Sequence, residues 1–252
     1  MNIPPERDSK ADYVRKGFDA IAAHYDRLND VMTIGLHRRW KREAIRRLRL
    51  QPGGKVLDLC SGTGDLAFLA ARACTERGMA AALDFSPNMM AAGMRRKALS
   101  NSGNVVRIRG DASILPFSDN RFDGVVVGFG LRNVVAIEDV IKEVRRVLKP
   151  GGLFVNLDTA GCEWKIFQPL YRLYMSAIVP LVGKYLAGSE EMYSYLSASA
   201  KAFHSPAELC ALFQQCGFIQ TGYAFRPRIL GGAALVWGTK PNADIHYGAD
   251  QT

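Results

Sequence analysis

The 252-residue sequence predicts one α/β domain built on a mainly parallel seven-stranded sheet, with helices on both faces and an antiparallel strand pair at its end. Three observations carry this expectation. From residue 55 onward short apolar runs alternate with stretches of helical period. The first run leads straight into a glycine turn, Ser61-Gly62-Thr63-Gly64. The last two runs have no helical stretch between them, only a segment containing Arg226-Pro227-Arg228 and Gly231-Gly232.

Taken in order, Asp12 to Leu50 has a helical pattern with breaks expected at Asn29-Asp30 and at Gly35. Strands are expected at 55–59, 79–84, 104–109, 122–129, 152–157, 218–225 and 233–239. Helices are expected at 65–77, 87–99, 136–148 and 206–216, with Lys149-Pro150-Gly151-Gly152 as the turn into the fifth strand. His204-Ser205-Pro206 starts the last helix. We therefore divide the chain into an N-terminal helical lid (1–50), a main domain (51–240) with a substrate-covering insertion at 158–205, and a disordered tail at 241–252.

Composition narrows the function classes. Charged residues are 23% and hydrophobic residues 48% of the chain, the balance of a water-exposed globular protein. The opening MNIPPERDSK is polar and offers no signal-peptide core, so a cytoplasmic protein is expected. The most apolar stretch, 166–187, is interrupted by Pro169, Arg172, Pro180 and Lys184 and is not expected to span a membrane. Five cysteines, scattered and without a CxxC pair, fit reduced thiols and no zinc site; no metal is expected. The net charge of +9 is concentrated in HRRWKREAIRRLR, His37 to Arg49. Trp40, Ala44, Ile45 and Leu48 recur there near helical spacing, giving an amphipathic helix with a basic outer face. That face is a solvated surface or a contact for an anionic membrane; nucleic acid is not an expected partner.

In VLDLCSGTGDL (56–66) the turn after the first strand carries Gly62 and Gly64, which let the backbone approach a ligand closely. With Ala67 the turn also fits the loose dinucleotide pattern GxGxxA. Asp58, four residues before the first glycine, weighs against a pyrophosphate; it orders the loop or accepts from an ammonium-bearing ligand. The second strand ends in Leu83-Asp84-Phe85, with Asp84 twenty residues past Gly64. A carboxylate there can accept from both hydroxyls of a ribose, of a nicotinamide or an adenosyl cofactor alike. After the third strand, Asp111 can take an adenine amino group and Ala112 can supply a backbone donor.

The segment DLCSGTG (58–64) resembles the glycine loop of the class I S-adenosylmethionine-dependent methyltransferases, and LDFSPNMM (83–90) is similar to their ribose-binding segment. Four further stretches resemble more narrowly the quinone C-methyltransferases of menaquinone and ubiquinone biosynthesis: FDAIAAHYDRLNDVMTIGLHRRWKR (18–42), GDASILPFSDNRFDGVVVGFGLRNV (110–134), EVRRVLKPGG (143–152) and YSYLSASAKAF (193–203). The resemblance covers about residues 12 to 240. It implies a Rossmann-like fold, S-adenosyl-L-methionine as cofactor, and methylation of a ring carbon of a prenylated quinol. The shorter, insertion-poor members are the most similar, which favours demethylmenaquinol. Cofactor contacts are implied at Thr63, Asp84, Asp111 and Ala112, and at Gly128, where the family commonly has serine. Leu157-Asp158 stands where a glutamate-phenylalanine pair is usual, and Trp237 where a histidine is usual.

Carbon methylation needs the ring carbon held in line with the S–CH₃ bond, and a ring hydroxyl whose ionisation pushes electron density onto that carbon. Arg132, in FGLRN after the fourth strand, can lower the pKa of that hydroxyl or polarise a water that takes the ring proton; alternatively it ties the glycine loop to acids such as Asp65. Asn133 bonds the second ring oxygen or holds the loop. His24 and Tyr25 sit on an N-terminal helix that can fold across the cofactor, His24 as a base and Tyr25 as part of the lid. In the insertion, Trp164, Phe167, Tyr171, Tyr174, Met175 and Ile178 form one apolar helical face, suited to core packing or to an isoprenoid tail. Tyr193 and Tyr195 can present hydroxyls to the quinol head or pack in the core. Catalytic candidates are thus Arg132, Asn133, His24 and Tyr195. Methylation of another phenolic acceptor, a nicotinamide dehydrogenase, and a non-catalytic partner in a quinone-synthesis assembly remain as alternatives, and a homodimer is compatible with all of them.

Overall fold

A computed structural model describes residues 7–95, 104–161, 165–179, 181, 185, 190–226 and 232–242. Seven strands form one sheet: β1 Lys55–Leu59, β2 Met79–Asp84, β3 Val105–Arg109, β4 Phe122–Gly128, β5 Leu148–Ala160, β6 Ile219–Arg226 and β7 Gly232–Thr239. Their order is β3-β2-β1-β4-β5-β7-β6. Neighbours are parallel from β3 to β5, whereas β7 pairs antiparallel with both β5 and β6. The expected α/β class, strand number and terminal antiparallel pair are borne out.

Strands β1 and β2 begin and end where their apolar runs do, because parallel central strands must be apolar on both faces. The fifth strand is longer than expected. Its ladder starts at Leu148, opposite Phe122, and passes through the Lys149–Gly152 segment read as a turn, with a register irregularity between Phe122 and Gly124 absorbing it.

Helices flank the sheet: α4 Asp65–Cys74, α5 Pro87–Met94, α6 Ile137–Val147 and α9 Pro206–Gln215. One face is packed by α6 and α9 through Val140, Ile141, Val144, Leu209 and Phe213. The other is packed by α4 and by α3 (Leu36–Arg47), whose Trp40, Ala44 and Ile45 join Leu66, Ala67 and Ala70. Ser205 opens α9 with a full capping box to Glu208, as Ser-Pro-Ala-Glu requires.

Of the two expected breaks in the N-terminal helices, the one at Gly35 holds, as the N-cap of α3, and the one at Asn29-Asp30 does not. Helix α1 (Arg7–Ile21) stops before His24, and α2 (Tyr25–Thr33) runs through Asn29-Asp30. The carbonyl of Asp30 accepts from the Gly35 N–H at 2.8 Å, so Asp30 belongs to the closing turn of α2. In the insertion, α7 (Gln168–Leu173) continues into a π-turn at Tyr174–Ile178. This wider turn rotates the apolar stripe by one residue: Met175 and Val179 are buried, and Ile178, placed on the inner face by helical spacing, is exposed. Helix α8 (Glu190–Ala202) completes a third cluster, in which Met192, Tyr193, Tyr195 and Leu196 pack on Val14, Ile21 and Leu28. Trp164, residues 96–99 of the expected helix and the expected tail from 243 lie outside the described residues.

Candidate active site

A cavity of 440 Å³ opens where the strand order reverses, between the carboxyl ends of β1 and β4. This is the crevice at which open α/β sheets hold ligands, and the volume suits a cofactor-sized molecule. Its floor is the glycine loop. Gly62 (φ 56°) and Gly64 (φ 89°) both need left-handed backbone, which glycine adopts without cost. Gly64 is the N-cap of α4 and has no side chain to cap it. Asp58 does so instead: its Oδ2 accepts from the Ala67 N–H at 2.7 Å, satisfying one of the helix's orphan donors from a neighbouring strand. Complete burial pushes the Asp58 carboxyl up to about 8, against the pull of this hydrogen bond and of Lys41. Asp58 orders the loop and does not line the cavity; its Oδ1 is buried without a partner.

Asp84 lines the cavity from the end of β2. Its Oδ2 accepts from the Gly62 N–H at 2.7 Å and its Oδ1 from the Ser86 N–H at 2.8 Å, so the carboxylate locks the glycine loop to the β2 turn. Burial raises its pKa, and the backbone donors oppose that rise. Phe85 and Ala112 line the same wall, and Asp111 stands beside them with Oδ1 held by the Ser113 N–H and hydroxyl, both at 2.8 Å. Gly128 lines the far side. A Cβ there would lie 2.5 Å from Leu66 Cδ1, so leucine occupies the space a serine side chain would enter.

Helices α1 and α2 roof the cavity with Val14, Phe18 and Tyr25. Three polar ties hold the roof down. Asp19 accepts from the Ser86 hydroxyl at 2.5 Å and from the Asn88 N–H at 3.3 Å. Thr63, buried under the roof, donates its hydroxyl to Asp26 at 2.9 Å, and Lys10 donates to the Val134 carbonyl at 2.9 Å. Thr63 and Gly64 therefore shape the loop from behind without lining the cavity. His24 is exposed in the α1–α2 connection and is not brought to the cavity either.

Beyond Gly128 the chain makes a short 3₁₀ turn, Leu131–Asn133. Arg132 does not join Asp65, which is held by the buried Lys41 at 2.8 Å. Its Nη1 donates instead to Asp158 at 2.5 Å and to the Phe129 carbonyl at 2.9 Å. Burial would weaken the guanidinium's charge, but Asp158 together with Tyr25 and Tyr195 offsets this, and the pKa stands above its usual value. Asn133 lines the cavity; its Nδ2 donates to the Phe129 carbonyl at 3.2 Å. Helix α8 brings up Tyr195, whose ring meets Tyr13 edge-on at 5.5 Å. Burial raises the Tyr195 phenol's pKa, while the Arg132 cation pulls it down. Among the described residues, Arg132 Nε, Asn133 Oδ1 and the hydroxyls of Tyr193 and Tyr195 are all buried without a hydrogen-bond partner. Such groups are costly unless something bonds them.

The arrangement thus has two parts: an acid-lined pocket, and a cluster of unpartnered polar groups of which Asn133 lines the pocket while Arg132, Tyr193 and Tyr195 do not. Residues 6–240 match the ubiE/COQ5 methyltransferase family. The chain belongs to this family. It is 42% identical over 232 residues to a demethylmenaquinone methyltransferase of Geobacillus kaustophilus, covering 92% of this chain and 98% of that one. It is 41% identical to the Desulfitobacterium hafniense protein of the same description, covering 92% and 91%. Solved methyltransferases share the fold. One from Thermotoga maritima aligns with a TM-score of 0.60 at 20% identity, over 90% of this chain and 99% of that one. The Haemonchus contortus phosphoethanolamine N-methyltransferase 2 aligns with a TM-score of 0.61 at 16% identity, over 81% and 53%.

Several contributors had no sequence signal. Asp19 and Asp26 act across 67 and 37 residues of chain. Gly93 on α5 lies so close to the loop that a Cβ would sit 2.2 Å from the Thr63 carbonyl oxygen. Cys60 lines the cavity in left-handed backbone (φ 54°). Trp237, by contrast, is remote from the cavity and carries the Arg47 guanidinium 3.6 Å above its ring.

Proposed function

We propose that the protein transfers the methyl group of S-adenosyl-L-methionine to a ring carbon of a prenylated quinol, most specifically demethylmenaquinol, at the inner face of a membrane. The observation that carries this reading is the acid-lined cavity with Asn133 in its wall, next in sequence to Arg132; Arg132 Nε and the Tyr195 hydroxyl are buried without a partner, although neither residue lines the cavity. The cavity fits the cofactor: the glycine loop forms its floor, and Asp84 offers each oxygen's second lone pair to a ribose hydroxyl. Asp111 and Ala112 suit the adenine end. When bound, the cofactor supplies an activated methyl group on a cationic sulfur.

The residues then divide the remaining work. Tyr25, Phe18 and Val14 exclude water from the reacting centre. Arg132, fixed by Asp158, presents a permanent positive charge toward a ring oxygen and favours its ionised form. Asn133 Oδ1 and the Tyr195 hydroxyl are available to a second ring oxygen, which would satisfy both. After the new C–C bond forms, the ring carbon loses its proton to a water held by these groups, and the recovered aromaticity drives that loss. The proposed roof of α1 and α2 serves as the lid, and Met175 with Tyr171 and Tyr174 gives the prenyl tail an apolar wall.

Mass spectrometry of products after incubation with S-adenosylmethionine and reduced demethylmenaquinol, beside the demethyl benzoquinol counterpart, tests the proposal. A carbon-methylated naphthoquinol made faster than the benzoquinol product is expected. Methylation on oxygen, or of neither quinol, would overturn it.

A further inference from the structure

The corner between α2 and α3 carries a feature that folding does not account for. Ile34 caps α2 in left-handed backbone (φ 50°, ψ 40°), a conformation that a β-branched residue rarely takes. Its side chain is 89% exposed, so packing gives nothing in return. Val31 and Leu36, on either side, are exposed as well. Glycine or asparagine would close the helix better at this point. An isoleucine held out on a strained turn points to a use outside the chain.

The surroundings specify the chemistry of its partner. Leu36, Arg39, Arg42 and Arg46 follow one another at three- and four-residue spacings on α3 and are all exposed, while Trp40, Ala44 and Ile45 face the core. Neighbouring acids are already engaged: Asp30 holds His37 and Arg38, and Glu43 holds Arg226. The face is therefore basic around an apolar tip. A second apolar group lies alongside. The Tyr174 hydroxyl donates to the Met32 carbonyl at 2.5 Å, tying this corner to an insertion segment whose Ile166, Leu170 and Leu173 are exposed. Apolar side chains flanked by arginines on one surface match a bilayer interface, with acyl chains below and anionic headgroups around them.

We propose that the α2–α3 corner is the protein's docking point on an anionic lipid bilayer, with Ile34, Val31 and Leu36 entering the acyl boundary and Arg39, Arg42 and Arg46 on the headgroup phosphates. The inference deepens the quinol reading by naming where a long-tailed acceptor is met. Tyr25, at the other end of α2 and about 13 Å away along the helix, lines the cavity. Docking at this corner sets the cavity roof beside the lipid.

The test is co-sedimentation of the full chain with phosphatidylcholine vesicles made with and without phosphatidylglycerol, across a salt series. The parent protein should bind only the phosphatidylglycerol vesicles, and less as salt rises. Ile34→Gly relaxes the left-handed turn, so its thermal stability should equal or exceed the parent's while vesicle affinity falls about tenfold. Arg39→Glu with Arg42→Glu should abolish the phosphatidylglycerol dependence. Equal vesicle binding by Ile34→Gly and parent would overturn the proposal. So would indifference of the parent to phosphatidylglycerol, or a parent dimer that Ile34→Gly converts to monomer, which would make a second copy the occupant. Methylation of a short-tailed, water-soluble demethylnaphthoquinol without vesicles separates the two readings: Ile34→Gly should match the parent there. If the parent itself leaves that quinol unmethylated, the quinol reading fails while the docking result stands by itself.

Discussion

Restoring serine at Gly128 is the most informative single change to the cofactor pocket. The Cβ it introduces would lie 2.5 Å from Leu66 Cδ1 and 3.6 Å from Cγ, where carbon contacts settle at about 3.5–4.0 Å. Leu66 must therefore withdraw its terminal methyl by about 1 Å. It has little room: it is 4% exposed and packed among Ala67, Ala70, Val126 and Leu157. Overpacking of this kind costs about 1–3 kcal/mol, and the low end applies because the obstructing atom ends a side chain. Gly128→Ser should thus lose about 1 kcal/mol of stability, a fall in Tm of roughly 2–4 °C. Leu66 also opens α4 behind the glycine loop, so affinity for S-adenosylhomocysteine should not improve despite the added hydroxyl. Leu66→Ala alone should cost about 2–5 kcal/mol. Combined, the two changes should cost at least ~1 kcal/mol less than their sum, because the serine fills the void. Denaturant titration of the four proteins and calorimetry with S-adenosylhomocysteine measure both quantities. Additive stabilities, or tighter cofactor binding by Gly128→Ser alone, would refute the claim that leucine has taken the hydroxyl's place.

Other changes probe the remaining contacts. Gly93→Ala drives a Cβ against the Thr63 carbonyl oxygen, a backbone atom that cannot rotate aside, and should cost about 3 kcal/mol together with cofactor affinity; thermal shift with and without S-adenosylhomocysteine checks both. Asp84→Ala removes the acceptor for the Gly62 and Ser86 N–H groups and should weaken cofactor binding by about 1.5–3 kcal/mol; unchanged affinity by calorimetry would take it out of the site. Arg132→Lys cannot hold Asp158 and the Phe129 carbonyl while pointing a further N–H at the acceptor, so kcat should fall on the order of 10²-fold with cofactor affinity kept. Asp58 has a folded-state pKa raised from 3.8 to about 8, so the native protein binds the extra proton between these values and its stability from this group declines as pH rises through them. Asp58→Asn keeps an acceptor for Ala67 and removes that slope; its stability relative to the parent should grow from pH 5 to about 8 and then level off, and a pH-independent difference would contradict the assignment.

What the sequence made legible follows the range of the physics. The ends of β1 and β2, the SGTG turn and the Ser-Pro start of α9 depend on neighbours within a few residues, and each is readable from local pattern. Asp84 was readable because the strand-turn geometry fixes its distance from the glycines. For Arg132 the alternative of a tie to Asp65 does not hold: Asp65 is taken by the buried Lys41, and Arg132 pairs with Asp158, 26 residues on, which only the fold brings beside it. The π-turn at Tyr174–Ile178 left no trace in the 3–4 spacing that placed Ile178 inside. Gly93 carries no local signal, since its reason is an approach to a loop thirty residues away. Asp58 was assigned two alternatives, and the structure spends one of its oxygens on the first of them.

The electrostatics of the two ends then fit the reaction proposed. A chain with a net charge of +9 gathers acids around its cavity. Asp84, Asp111 and Asp139 line it, and burial first and then the nearby carboxylates push the Cys60 thiol's pKa well above the ordinary value. A cationic methyl donor is attracted into such a pocket, and the neutral sulfide left behind is held less firmly, which favours exchange of spent cofactor. The same field opposes the reaction, because positive charge leaves the sulfur as the methyl moves. Something must therefore stabilise the approach of an electron-rich acceptor, and Arg132 is the buried cation at that end, kept charged by Asp158. Removing the arginine would leave Asp158 to repel the ionised ring that the carbon nucleophile needs, so the pair separates the binding of the donor from the activation of the acceptor.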